Sequence, residues 1–163
     1  MGFFGRLRAR LGGGGPLIPR EPVEYRPIGV VRNRVKQPRP GGWEGVRSDI
    51  LVREDLTGAL DGLEGFSHVI VVFHLSRVPA AEQRLRVPAG TDVAERGVLA
   101  TRSQRRPNPI GVTVVPLLHR RQGVLRVSGL DAIDGTPVLD VKPYLPAYDA
   151  APDAKLPAWA QPV

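Results

Sequence analysis

His68 to Leu75, HVIVVFHL, is the densest run of β-branched and aromatic side chains in the chain, and its reading decides the fold. Eight residues are too few for a buried helix and suit a strand, so the run is predicted to be a buried central strand with polar ends. Downstream, residues 78–97 carry Pro79, Pro88 and Gly90 among mixed charges and read as an excursion outside the core. Four short β-type segments follow at close spacing: Val98 to Thr101, Gly111 to Leu118, Gly123 to Leu130 and Pro137 to Val141. Upstream, Asp55 to Leu63 reads as a short helix capped by Asp55, Ser48 to Arg53 as an alternating strand, and Val23 to Val31 as the β-rich opening of the domain. Short strands separated by turns favour an antiparallel barrel or sandwich over βαβ repetition. The expected class is all-β with minor α, with one short helix and an excursion around residues 78–97.

The 163 residues suffice for one domain, and 42% apolar composition for one core. The domain is expected over residues 23–150, preceded by a flexible basic leader over 1–22, with GGGG at Gly12 to Gly15 and three prolines, and followed by a tail over 151–163. A short helix over Phe3 to Leu11 is a second reading of part of that leader. The absence of cysteine excludes disulfides, thiolate metal sites and cysteine nucleophiles. The three histidines are His68, His74 and His119, and the first two, six apart on one strand, stand roughly 20 Å apart, so no metal site is expected. No apolar run approaches the roughly 18 residues that span a bilayer, and the N-terminus lacks a secretory pattern. Membrane association is not expected, and the cytoplasm is the expected compartment.

Charge is distributed unevenly. Residues 1–40 hold nine basic side chains against Glu21 and Glu24, which accounts for the whole net charge of +7. The rest sums to zero, yet residues 96–130 contain seven arginines and no acid. Two basic blocks on an otherwise acidic body suggest contacts to phosphates, the main sequence-independent term in nucleic-acid binding.

Familiar catalytic signatures such as GxGxxG after a strand, the P-loop, HExxH and GxSxG are missing. Two stretches stand out instead. ATRSQRRPNPIG, Ala100 to Gly111, packs three arginines against a Pro-Asn-Pro turn that fixes two backbone angles and removes two amide donors, while Gly111 permits close approach. GLDAIDGTPVLDVKPY, Gly129 to Tyr144, presents Asp131, Asp134 and Asp140 around an Asp-Gly turn.

The order IGVVRN, LEGFSHVIVVFH, ATRSQRRPNPIG and LDAIDGTPVLDVKPYLP resembles the TsaA-like, or TrmO, family over Tyr25 to Asp149. Between barrel and sandwich, the resemblance implies a small antiparallel β-barrel, unlike the Rossmann-type methyltransferases, that forms a homodimer and binds S-adenosylmethionine near the subunit interface. It implies as substrate a tRNA bearing N6-threonylcarbamoyladenosine immediately 3′ of the anticodon, methylated at N6. Matching motifs carries cofactor contacts to Pro38, Arg39, His74, Leu75, Arg102, Val112, Leu130, Asp131, Ala132 and Ile133. The chain departs from the family at Gln104, where relatives often read RSPxRPNPIG, and at Pro38-Arg39-Pro40 followed by Gly41-Gly42-Trp43, which replace a Pro-Arg-Gln element and a longer loop. The leader has no counterpart in the resemblance.

Methyl transfer from a sulfonium is an in-line displacement, so positioning carries most of the burden. A cationic donor favours nearby carboxylates, for which Asp131 and Asp134 are suited. The ureido N–H is a poor nucleophile, and His74, Asp134 and Tyr144 are the candidates to take its proton. Arg105 and Arg106 suit RNA phosphates, Lys142 and Arg102 a carboxylate or phosphate, and Trp43 a splayed base. Two other readings remain at this point: a methyltransferase of the same fold acting on another nucleoside or small molecule, and a noncatalytic RNA-binding module.

Overall fold

The computed structural model of the protein describes residues 21–90 and 93–160. Its strands are β1 (Gly29–Arg32), β2 (Arg47–Val52), β3 (His68–His74), β4 (Arg86–Ala89), β5 (Ala94–Gly97), β6 (Ile110–Arg121), β7 (Val124–Ser128) and β8 (Pro137–Pro143). Six of them close into an antiparallel barrel in the order β1-β2-β7-β6-β3-β8, with β8 returning to β1. Closure leaves no unpaired edge in the barrel. The helical content of the described residues is short 3-10 turns and one α-helical turn, α1 (Pro146–Asp149).

HVIVVFHL is β3, flanked by β6 and β8. Alternation sends Val69, Val71 and Phe73 fully inward, where they meet Val31, Ile50, Val115, Leu125, Val127 and Val138. Burying each such side chain contributes about 1.5–3 kcal/mol. Ile70 and Val72 point the other way and are half-buried, so β3 has one buried face rather than two. The excursion forms a separate hairpin of β4 and β5, tied back by Val98 N–H donating to Leu85 O at 2.9 Å and Arg84 N–H to Arg105 O at 2.8 Å.

Three local expectations are corrected. The opening strand starts only at Gly29: Pro27 has no amide to donate, and residues 21–27 run exposed along the barrel. Asp55 caps nothing; Arg53 stands at the N-cap of a 3-10 helix, Glu54–Leu60, and takes the Asp55 carboxylate with its own guanidinium, Nε to Oδ1 3.0 Å. Val98 to Thr101 is not a strand, because Thr101 turns both its amide (3.1 Å) and its hydroxyl (2.9 Å) back onto Val98 O and closes a 3-10 turn over Val98–Ala100. Of the terminal segments, residues 1–20, with the Phe3 to Leu11 helix, and 161–163 lie outside the described residues. Within the expected tail, Trp159 packs on Gly90 and stacks under the Arg96 guanidinium, 5.0 Å from the ring centroid.

Candidate active site

The Pro-Asn-Pro turn sits where β3 ends and β6 begins. Leu75 N–H donates to Pro109 O at 2.7 Å, extending the β3–β6 ladder one step past His74. Gly111 permits a close approach here: a Cβ at that position would stand well inside contact distance of two carbons of the Phe73 ring, so the ring or the strand would have to shift. The arginines before the turn staple it. Arg102 Nη2 donates to Val112 O at 2.7 Å, and Arg106 Nη1 to Thr101 O at 3.2 Å and Ser103 O at 3.3 Å. Arg105 pairs with Glu82 of the excursion at 3.7 Å.

The aspartate segment reaches the same end of the barrel. The Thr113 hydroxyl, on β6 two residues past the arginine turn, donates to the Asp131 carboxylate and ties the aspartate segment to that strand. Asn33, at the exit of β1, holds the segment from the other side: its Nδ2 donates to Ala132 O at 2.8 Å and to the buried Ser48 hydroxyl at 2.9 Å, and its Oδ1 accepts from Val35 N–H at 2.9 Å. Leu130, Ala132 and Ile133 are buried, so the segment is fixed by packing as well. Gly135, at φ +82°, supplies the left-handed backbone the Asp-Gly turn needs.

Two adjoining clefts open on this end. One is lined by Pro38, Arg39, Trp43, Leu75, Ala132 and Ile133. The other is lined by Arg102, Arg106, Asn108, Gly111 and Val112, and Leu75, Gln104 and Asp131 form walls of both. Arg39 spans its loop: its guanidinium lies 4.6 Å from the Trp43 ring centroid and donates through Nη2 to Gly42 O, while its Nε is buried with no partner among the described residues. Of the residues expected to hold a cofactor, Pro38, Arg39, Leu75, Arg102, Val112, Asp131, Ala132 and Ile133 therefore share one continuous concavity, with Leu130 buried behind it.

His74 is separated from that group. It lines a third cleft with Tyr25, Pro27 and Leu139, and this cleft meets the arginine cleft at Asn108 and Ile110. Asp134 is in neither; its carboxylate accepts from Lys36 Nζ at 2.7 Å and Asn33 N–H at 3.1 Å, with Arg32 at 3.7 Å. The Lys36 hydrogen bond, reinforced by that of Asn33, holds its carboxyl below the usual aspartate range, so it is a poor proton acceptor and a good structural clamp. Tyr144 stands apart from the other candidates within this chain: its amide donates to His68 O at 3.1 Å and its ring meets the His68 ring edge-on, at the far end of β3 from His74, on the order of 20 Å away along the strand. Lys142 is also remote, opposite Ile70, and pairs with Asp140 at 2.6 Å. Arg106 is partly committed to its own loop. Sequence reading missed Asn33 and Thr113, whose roles depend on partners far away in the chain, and took Gln104 only as a departure although it lines both clefts.

The family described as the tRNA-methyltransferase O N-terminal domain matches residues 30–150. The chain belongs to the TrmO family. It is 38% identical over 144 residues to the tRNA (adenine(37)-N6)-methyltransferase of Escherichia coli, covering 80% of this chain and 61% of that one. It is 39% identical over 128 residues to an S-adenosyl-L-methionine-binding protein of Archaeoglobus fulgidus, covering 76% of this chain and 91% of that one. A crystal structure of TrmO from Pseudomonas aeruginosa superposes with a TM-score of 0.69 at 37% identity, over 88% of this chain and 66% of that one. The all-β barrel is thus the TrmO barrel, and the chain spans about two thirds of the longer TrmO proteins it matches.

Proposed function

We propose that the protein is an S-adenosylmethionine-dependent tRNA adenine-N6 methyltransferase of the cytoplasm, acting on N6-threonylcarbamoyladenosine 3′ to the anticodon. The observation that carries this reading is the cleft that Arg102 and Arg106 of the arginine turn line together with Asp131 of the aspartate segment, whose carboxylate Thr113 of β6 holds in place. Relatives named for S-adenosylmethionine binding and for tRNA adenine methylation support it.

The residues present fit this cofactor. The buried, unpartnered Arg39 Nε is a donor in want of an acceptor such as a carboxylate. Asp131 sets a negative charge beside any bound cation, and Leu75, Ala132 and Ile133 supply apolar wall. When bound, the cofactor supplies an electrophilic methyl group on a cationic sulfur. Phe73 packed against Gly111 and the three loop-stapling hydrogen bonds of Arg102 and Arg106 keep the wall rigid, so that the acceptor nitrogen is presented in line at little entropic cost. With Asp134 clamped and Tyr144 remote, His74 is the group to take the N6 proton, leaving an imidazolium on the enzyme and a neutral methylated amide on the product. Exposed Arg105 engages RNA phosphate.

A homodimer accompanies this reading. Ile110, Val112 and Val114 stand on the outer face of β6, each about 40–47% exposed, beside the half-buried Ile70 and Val72 of β3. A second copy covers that stripe and closes the cofactor cleft at Val112.

Titration calorimetry tests the proposal. Micromolar S-adenosylmethionine binding, weakened at least tenfold by Arg102→Ala, is expected. No binding at millimolar cofactor overturns it in favour of a noncatalytic RNA-binding module. Nucleoside analysis of tRNA from a deletion strain tests the acceptor: an unchanged methylated threonylcarbamoyladenosine pool redirects the activity to another substrate.

A further inference from the structure

The third cleft has a composition unlike the other two. Tyr25 is 71% exposed, an aromatic ring left in solvent at the rim, and Pro27, Pro109 and Pro137 give the walls flat apolar faces. Two polar side chains line it uncommitted: neither the His74 imidazole nor the Asn108 carboxamide has a hydrogen-bond partner among the described residues, whereas the nearby Arg102, Arg106 and Asp131 side chains are all engaged. Among the described residues no lysine or arginine lines this cleft, and Glu21 does. It joins the arginine cleft along one ridge, Asn108 and Ile110, so a ligand in one abuts a ligand in the other.

An exposed aromatic ring, apolar walls, one carboxamide, one imidazole and no cation describe a receptor for a neutral, flat, hydrogen-bonding group. An anion is disfavoured by Glu21, and a long aliphatic chain leaves the two polar groups unused. A purine base satisfies every part: its face stacks on Tyr25, and a ring nitrogen of its edge accepts from the Asn108 carboxamide N–H, which leaves the single N6 proton to His74. We infer that the cleft between Tyr25, His74 and Asn108 is the acceptor pocket, which takes the flipped-out adenine, while its substituent crosses the Asn108–Ile110 ridge toward Arg102. This inference rests on the methyltransferase reading and assigns the half of the site that the cofactor does not fill. Tyr25 and Asn108 are then binding residues for the acceptor.

The test separates the two halves. Binding of the free nucleoside N6-threonylcarbamoyladenosine is followed by ligand-detected NMR for the wild type, Tyr25→Ala, Tyr25→Phe and Asn108→Ala, and S-adenosylmethionine binding by calorimetry for the same proteins. Tyr25 and Asn108 are surface side chains without partners, so the variants are expected to fold. The expected result is nucleoside binding weakened roughly 5- to 150-fold by Tyr25→Ala, as for loss of one base–aromatic stack, retained in Tyr25→Phe, and weakened by Asn108→Ala, with the cofactor constant within twofold in both Tyr25 variants. Nucleoside binding that is absent from the wild type at millimolar concentration, or unchanged in Tyr25→Ala, overturns the acceptor pocket. Loss of cofactor binding by the wild type overturns the methyltransferase reading instead, and the two failures are read on different instruments.

Discussion

Asn33 Nδ2 donates to the carbonyl of Ala132 at 2.8 Å, across 99 residues of chain, and so binds the exit of β1 to the wall of the cleft that Arg39 and Trp43 line. The same carboxamide serves the Ser48 hydroxyl and the Val35 amide. Asn33→Ala removes three hydrogen bonds and leaves buried Ser48 without its donor, at a cost of about 2 kcal/mol for unmade bonds in a partly buried place. The expected outcome in urea denaturation is a lower midpoint with an unchanged slope. Cofactor affinity falls as well, because Ala132 and Ile133 lose their tether. Asn33→Asp keeps the acceptor for Val35 but not the donations and falls between the two.

Asp134 makes acid stability a property of this end of the barrel. The Lys36 hydrogen bond first, and the Asn33 amide second, hold its carboxyl below the ordinary 3.8. A depressed folded-state value contributes stability that is complete above the unfolded value and lost as the pH falls through the folded one. Asp49 behaves alike, held down chiefly by its hydrogen bonds from Arg126, Nε to Oδ1 2.7 Å. Melting curves are therefore expected to be flat in pH from neutrality to about pH 4.5 and to fall below the reference value of 3.8. Asp134→Asn lowers the melting temperature at neutral pH but narrows its gap from wild type at pH 3. A gap as wide at pH 3 as at pH 7 contradicts the clamp.

The all-β class was legible because its cue is local: HVIVVFHL is a dense β-branched run with polar ends, and closely spaced β segments around it leave a barrel or a sandwich, between which the family resemblance decided. The mistaken details share a cause, since in each a side chain redirected the backbone locally. Thr101 turned on Val98 where propensity reads a strand, and Arg53 took Asp55 before it could cap. The cleft gathers Arg102, Asp131 and Leu75, all within stretches that stand out in the sequence. The partners of Asp134 and Tyr144 were not legible, because they lie 98 residues away at Lys36 and 76 away at His68, which no spacing rule encodes.

Gly111 faces the Phe73 ring so closely that any side chain there must displace it. Gly111→Ala is expected to destabilise by about 1–3 kcal/mol, the usual cost of overpacking, and to shift the Pro-Asn-Pro turn that shares its strand. Adding Phe73→Leu to Gly111→Ala makes room and is expected to recover part of the lost stability, a non-additivity that denaturation of the single and double variants measures. Strict additivity of the two costs contradicts the contact.

The β6 stripe sets the final expectation. Val114 is 47% exposed and pairs with the half-buried Ile70 of β3, so it lies within the apolar face assigned to a second copy rather than within the core. Val114→Glu places a charge where two such faces meet, which costs the dimer the burial of both charges but leaves the monomer's fold almost untouched. Light scattering is expected to give the wild type a mass twice its 17.7 kDa and the variant a mass near 17.7 kDa, with the same circular dichroism. S-adenosylmethionine binding weakens in step, since Val112, two residues away, lines the cleft that the second copy closes. A wild type that is already monomeric at working concentration, yet binds cofactor at micromolar levels, assigns the whole cleft to one subunit and removes the dimer from the mechanism.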